Sequence, residues 1–200
     1  METHHIHSEL LQHQVRVLVV GCGGTGSAVV AGLPYLSRSY TGDDLRAHIV
    51  IGCVDTRAAR AAIRDAVSNW STVSYALDLG NNADSGQFIL GEPRNERNRR
   101  SRLRLRCAWE LFGESVDPRL DDDNEPTCSA AAALEAQEPF INATLAQHAL
   151  ALLARLFRYG EISYHGGFVN LETGTASVLR IIPNYWRRVR RVKQGPVTSL

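Results

Sequence analysis

Residues Val15 to Ser27, VRVLVVGCGGTGS, constrain the fold more than any other stretch of this 200-residue chain. A β-branched apolar run stops at Gly21, and Gly21, Gly23 and Gly26 keep the G-x-G-x-x-G spacing that opens a nucleotide-binding βαβ unit. Each glycine has its own task. The first permits a tight turn, the second lets backbone approach a phosphate, and the third brings the next helix close onto the strand. The next helix begins at about Gly24, with its N-terminal N–H groups facing the anion. The spacing points to a nucleotide without saying which.

The rest of the chain alternates strand and helix. A strand over Val15–Val20 is followed by a helix from Gly24 to Ser37, kinked or ended by Pro34. After a polar connection, Ser37–Ala47, the run His48–Val54 reads as a second buried strand ending on Asp55. Residues just past the carboxyl ends of such strands face the ligand crevice, so Asp55 is a candidate ligand-binding acid. It lies 29 residues beyond Gly26, farther than the ribose acid of a dehydrogenase, and the alternative is that it caps the helix Thr56–Val67. Tyr75–Leu79 reads as a third strand, Gly80-Asn81-Asn82 as a turn and Phe88–Leu90 as a short fourth strand. The longest helix runs from Phe140 to Tyr159, with His148 on its apolar face as a core histidine and Gly160 as the stop. A C-terminal hairpin pairs Ile162–Asn170 with Ala176–Ile181. The expected fold is α/β: a Rossmann-like, mostly parallel sheet with helices on both faces, shortened after the first helix.

Composition removes several function classes. The formal net charge is +1, which gives no global argument for nucleic acid. The four cysteines form no C-x-x-C pair, which argues against a zinc ribbon or a secreted disulfide scaffold and fits a reducing cytoplasm. No apolar run approaches a membrane span. His4, His5 and His7 have no carboxylate or cysteine at ligand spacing, and residues 1–14 read as a polar, solvated lead-in to a domain over 15–183. Residues 92–127 form a charged loop or crossover. Seven arginines fall between Arg94 and Arg106, followed by Asp121, Asp122, Asp123 and Glu125; the alternatives are a phosphate or nucleic-acid contact, a self-screening loop and a partner surface. Cys128 precedes an Ala-rich helix over 130–137, where the first-turn N–H groups favour a thiolate, so it is either a candidate nucleophile or a packing residue. Cys22 and Cys53 read as packing residues, and residues 184–200 as a peripheral basic tail.

The segments VVGCGGTGS (19–27), VIGCVDTRAAR (50–60), LDLGNNADSGQFILG (77–91), EPTCS (125–129) and FINATLAQHALALLARLFRYGEISYHGGFVNLETG (140–174) occur in an order that resembles the ThiF/MoeB superfamily of ubiquitin-activating-enzyme relatives. Within it they look most like the ThiF-type proteins of the PRTRC plasmid cassette. The resemblance implies ATP-dependent adenylation of the C-terminal carboxylate of a ubiquitin-like or sulfur-carrier protein, with ATP and Mg2+ as cofactors and a homodimer as the assembly. By matching position, Gly21, Gly23, Gly24 and Gly26 would line the nucleotide. Asp55 would lie beside the phosphates and the metal, and Cys128 would fall where many relatives carry an acyl-accepting or sulfur-transferring cysteine. The chain departs from that pattern between its first helix and second strand. Only Ser37–Ala47 stands where relatives place a strand, a ribose-binding acid, and an arginine and lysine that contact ATP; Asp43 and Asp44 are the remaining acids there. Two alternatives follow: a catalytically degenerate binding module that keeps the fold, and an NAD-binding oxidoreductase in which Asp55 holds ribose hydroxyls.

Overall fold

The computed structural model describes residues 2–12, 14–21, 23–33, 47–101, 103–121 and 138–183. The expectations for Cys22, Asp43, Asp44, Cys128, the helix over 130–137 and the tail over 184–200 lie outside the described residues.

A six-stranded mixed sheet organises the chain. Its strands are β2 (Val17–Val20), β3 (Ile49–Gly52), β4 (Tyr75–Asn81), β5 (Ser85–Gly91), β7 (Tyr164–Asn170) and β8 (Thr175–Arg180), neighbours in that order. Two short strands, β1 (His4–His5) and β6 (Glu161–Ile162), pair separately. The helices are α1 (Gly24–Gly32), α2 (Arg57–Asn69), the single turn α3 (Ala108–Leu111) and α4 (Ile141–Tyr159).

The parallel half follows from period-two burial. Val17 and Val19 of β2 face the same cluster as Ile49 and Ile51 of β3, where Val29 of α1 and Leu145, Ala149 and Leu152 of α4 pack. Leu18, Val20 and Val50 face the other way, onto Ile63 and Val67 of α2. Alternate residues of one strand thus bury against helices on both faces, as expected for a parallel sheet.

The expectation of a mostly parallel sheet is corrected by the remaining pairings, since β4–β5, β5–β7 and β7–β8 are all antiparallel. The reason is local. Asn82 N–H donates to Ser85 O at 2.7 Å, so only a tight turn separates β4 from β5, far too short for the crossover a parallel return requires. The fourth strand is also longer than expected, because Gly86 and Gln87 pair with both β4 and β7, and Ser85 with Asn170 of β7, despite their polarity. The C-terminal hairpin is present as β7 and β8, with the Asn170 side chain accepting from the Thr173 N–H at 2.7 Å in its turn. Gly160, at φ 74°, closes α4 by donating to Leu156 O. His148 is exposed rather than in the core, and it stacks on Phe88 with ring centroids 5.6 Å apart.

Two polar segments are built into the fold instead of lying in solvent. In the lead-in, His4, Ile6 and Leu10 are buried. In the arginine-rich segment, Asn95 and Asn98 are buried and point inward. Asn95 Nδ2 donates to Val73 O at 2.8 Å and Trp70 O at 3.0 Å, and Asn98 Nδ2 donates to Pro93 O at 2.9 Å and Ser74 O at 3.1 Å. These bonds satisfy carbonyls around the end of α2 that would otherwise be buried without partners. Residues 92–101 are thus pinned to the body of the fold through these two asparagines.

Candidate functional site

The glycine loop lies at the carboxyl ends of β2 and β3. Gly21 sits at φ +99°, where a Cβ would stand 2.2 Å from Cys53 O, and a Cβ on Gly26 would stand 1.9 Å from Gly21 O. Strand, loop and helix are in backbone contact at these two points, and only glycine fits. Gly23 differs: nothing lies within 4 Å of its Cβ direction. It is the N-cap of α1 and offers no side chain to the first-turn N–H groups.

Helix α4 runs parallel to α1, with Thr25 hydrogen-bonded to the Asn142 side chain and Gly32 against Leu150. The two N-termini therefore lie side by side at the ligand end of the sheet, and their partial positive charges add. The α4 N-cap, Phe140, has φ 75°, no side-chain cap and 79% exposure. Glu138 N–H donates to Ala83 O, which ties this corner to the β4–β5 turn.

The N-terminus of α2 is already occupied. Thr56 is its N-cap, accepting from Ala59 N–H at 3.2 Å, which corrects the alternative that Asp55 caps this helix. The Asp121 carboxylate accepts from the Arg57 and Ala58 N–H groups at 2.8 and 2.9 Å, and these bonds lower its pKa. Asp55 is exposed between β3 and α2. Beneath it, Arg60 Nε donates to Asp78 Oδ1 at 3.3 Å while its guanidinium lies over Gly80. Asp78 is buried, and desolvation raises its pKa against the pull of Arg60. Neither arginine is an uncommitted cation.

Of the candidate site residues, Gly21, Gly23, Gly24, Gly26 and Asp55 thus fall at one end of the sheet. Gly24 faces the Asn142 side chain, 2.6 Å from where a Cβ would stand. Cys53 and Cys107 are both buried, and burial pushes the Cys107 thiol well up, so Cys107 is not an activated thiolate.

A second polar cluster, unseen in the sequence, lies at the opposite, amino edge of the parallel strands. Glu92 is fully buried there. It accepts from His7 Nε2 at 2.7 Å and from Leu105 N–H at 2.7 Å, while His4 Nε2 and Tyr75 Oη are 2.9 Å apart. Burial lowers the pKa of His4 and of His165, the latter to about 4, and raises that of Tyr75 far above its ordinary value. A shallow cleft of about 150 Å³ near this edge, lined by Glu9, Leu10, Gln14, Val15, His48 and Arg97, is remote from the glycine loop. Among the described residues, no three His, Cys, Asp or Glu side chains are grouped as metal ligands, and no helix is long and apolar enough to cross a membrane.

No protein-family model and no curated protein matches the chain. A solved structure described as a heterocyclase in complex with substrate and cofactor is similar at 13% identity, over 84% of this chain and 24% of that chain, with a TM-score of 0.49. This chain thus spans about a quarter of that protein's length, and a likeness at this level decides nothing about function.

Proposed function

We propose that the glycine loop binds the phosphates of ATP, and that the site serves adenylation of the C-terminal carboxylate of a ubiquitin-like or sulfur-carrier protein. One observation carries the nucleotide reading: Gly21 and Gly26 are locked in backbone contact, while Gly23 opens at the uncapped N-terminus of α1. A cradle in which a Cβ is forbidden at two positions and space is kept at the third suits a phosphate approached by N–H groups. Gly21, Gly23, Gly24 and Gly26 would hold the phosphates. Asp55 would help to hold Mg2+, the remaining ligands of that ion coming from phosphate oxygens and water. ATP supplies an activated α-phosphorus to the attacking carboxylate oxygen, with pyrophosphate as the leaving group. The protein's part is to fix the phosphates and exclude competing water.

A second reading is favoured by the arginines at this end of the sheet. Arg57 is paired with Asp121 and Arg60 with Asp78, so neither charge is held in reserve for a triphosphate. A non-catalytic module that binds nucleotide but does not transfer it fits this balance. Calorimetric titration with ATP and Mg2+ tests the first step, and no heat of binding overturns the nucleotide reading. ATP–pyrophosphate exchange with candidate carrier proteins then separates the two. Exchange lost in Asp55→Ala supports adenylation, whereas ATP binding without exchange leaves the module.

A further inference from the structure

The N-caps of the two parallel helices stand at one level. Asn142 bonds Thr25 near the start of both helices and Leu150 packs on Gly32 farther along, so α1 and α4 run in step, with Gly23 and Phe140 side by side. Gly23 opens onto space, whereas Phe140 presents an aromatic ring that is 79% exposed, the most exposed large apolar side chain described. The backbone gives that ring no reason to be there. Both ends of α4 carry a left-handed residue, Phe140 at φ 75° and Gly160 at φ 74°. Glycine takes this conformation freely and a bulky side chain does so at a cost, which burial of the ring does not offset.

Position defines what the ring can meet. From the glycine loop at the end of β2 the described sheet extends one way, through β3, β4 and β5, and α4 packs over β4 and β5. Glu138 N–H donates to Ala83 O and so holds the Phe140 corner over the β4–β5 turn. A nucleotide anchored by its phosphates at Gly23 and lying across the strand ends brings its base to this ring, with the ribose spanning the interval. The ring stands alone: among the described residues no second ring meets it, and its neighbours Glu138 and Asn142 are polar. One ring in such company makes no groove for an aliphatic chain, but its face suits the flat face of a base.

We propose that Phe140 is the stacking platform for the base of the nucleotide whose phosphates the glycine loop holds. This inference rests on the nucleotide reading and extends it from the phosphates to the base. The exposed ring and its strained backbone are then features of the binding site, kept at some expense to the fold.

The test is calorimetric titration of the full chain with ATP and with inorganic triphosphate, each with Mg2+. The parent should bind ATP about tenfold more tightly than triphosphate, the difference made by the stacked base. Phe140→Gly suits the backbone and should fold at least as stably as the parent. It should weaken ATP binding about tenfold and leave triphosphate binding unchanged, whereas Phe140→Tyr keeps a ring and should retain the parent affinity for ATP. Three results overturn the stack while leaving the phosphate cradle in place: a parent that binds ATP no more tightly than triphosphate, a Phe140→Gly protein that binds ATP as the parent does, or one that loses ATP and triphosphate equally. A parent that binds neither overturns the nucleotide reading itself and the stack with it.

Discussion

Substituting alanine separately at Gly26 and Gly23 should separate folding from binding in one loop. At Gly26 the new Cβ would stand 1.9 Å from Gly21 O and 2.9 Å from Gly21 C. The first distance is about 1.5 Å short of ordinary van der Waals contact, and the obstacle is backbone that is itself fixed by Cys53. Alanine would otherwise favour a helix interior over glycine by about 1 kcal/mol. Overpacking of this kind costs about 1–3 kcal/mol, and against immovable backbone the upper end applies, so the clash wins by about 1–2 kcal/mol. For a chain of this length that is a fall of about 2–8 °C in melting temperature. At Gly23 the φ of −69° suits alanine and nothing lies within 4 Å, so the expected loss is under about 1 kcal/mol, from a poorer N-cap. Yet the methyl group would fill the space through which a phosphate reaches the α1 N–H groups. Differential scanning fluorimetry and ATP–Mg2+ calorimetry on the two variants check both halves. Gly26→Ala should melt early, while Gly23→Ala should melt near the parent and bind ATP at least tenfold more weakly. A Gly23→Ala protein that binds ATP as the parent does would refute the assignment of the cradle, and a Gly26→Ala protein with the parent's melting temperature would refute the packing argument.

Other consequences are testable on the apo chain. His165 is buried with its pKa depressed from 6.5 to about 4, so its stabilising contribution is present above pH 6.5 and is lost as pH falls toward 4. That loss is about 3 kcal/mol, and His165→Phe should flatten the fall in urea midpoint between pH 7 and 4.5. Glu110 acts in a lower window. Burial alone would raise its pKa, but the Arg104 bonds and charge, the Cys107 N–H and Arg94 hold it at about 2, so its contribution disappears between pH 4.5 and 2 and should survive the His165 substitution. Arg60→Ala strips the cation from buried Asp78 and should cost about 3 kcal/mol by chemical denaturation; a denaturation curve unchanged from the parent would show that the pair does not stabilise the fold. Phe140→Gly relieves the one positive-φ non-glycine residue described and should raise the melting temperature by about 1–3 °C, while a fall would mean that the exposed ring makes contacts that stabilise the fold.

The parallel half of the sheet was legible because its signals are local. Val15–Val20 and His48–Val54 are apolar runs, Thr56–Val67 has helical periodicity, and the glycine spacing fixes which strand turns into which helix. The antiparallel half was under-read for an equally physical reason. Ser85, Gly86 and Gln87 lack strand propensity, and they are held by pairing with β7 and, for Gly86 and Gln87, with β4 as well, which no short window reports. The amino-edge cluster was illegible because its members are far apart in sequence: His4 meets Tyr75, and His7 meets Glu92. One available signal was Ile6 and Leu10 interleaved with the histidines, an apolar spacing that a solvated lead-in has no reason to keep.

The candidate site shows the same division between what spacing encodes and what only the fold assembles. The backbone conformations of Gly21, Gly23 and Gly26 follow from spacing because they concern one turn of chain, whereas only the resemblance marks Gly24. The charge balance around them does not, since Asp121 reaches the Arg57 N–H across 64 residues and Asp78 reaches Arg60 across 18. A count of arginines overstates the cations available to a phosphate, because a buried or helix-capping carboxylate removes each one that it pairs. The same holds at Glu110, where one carboxylate ties down Arg94, Arg104 and Arg106 together. With Arg57 and Arg60 both paired, the proposed phosphate binding at the glycine loop rests on the N–H groups and parallel dipoles of α1 and α4.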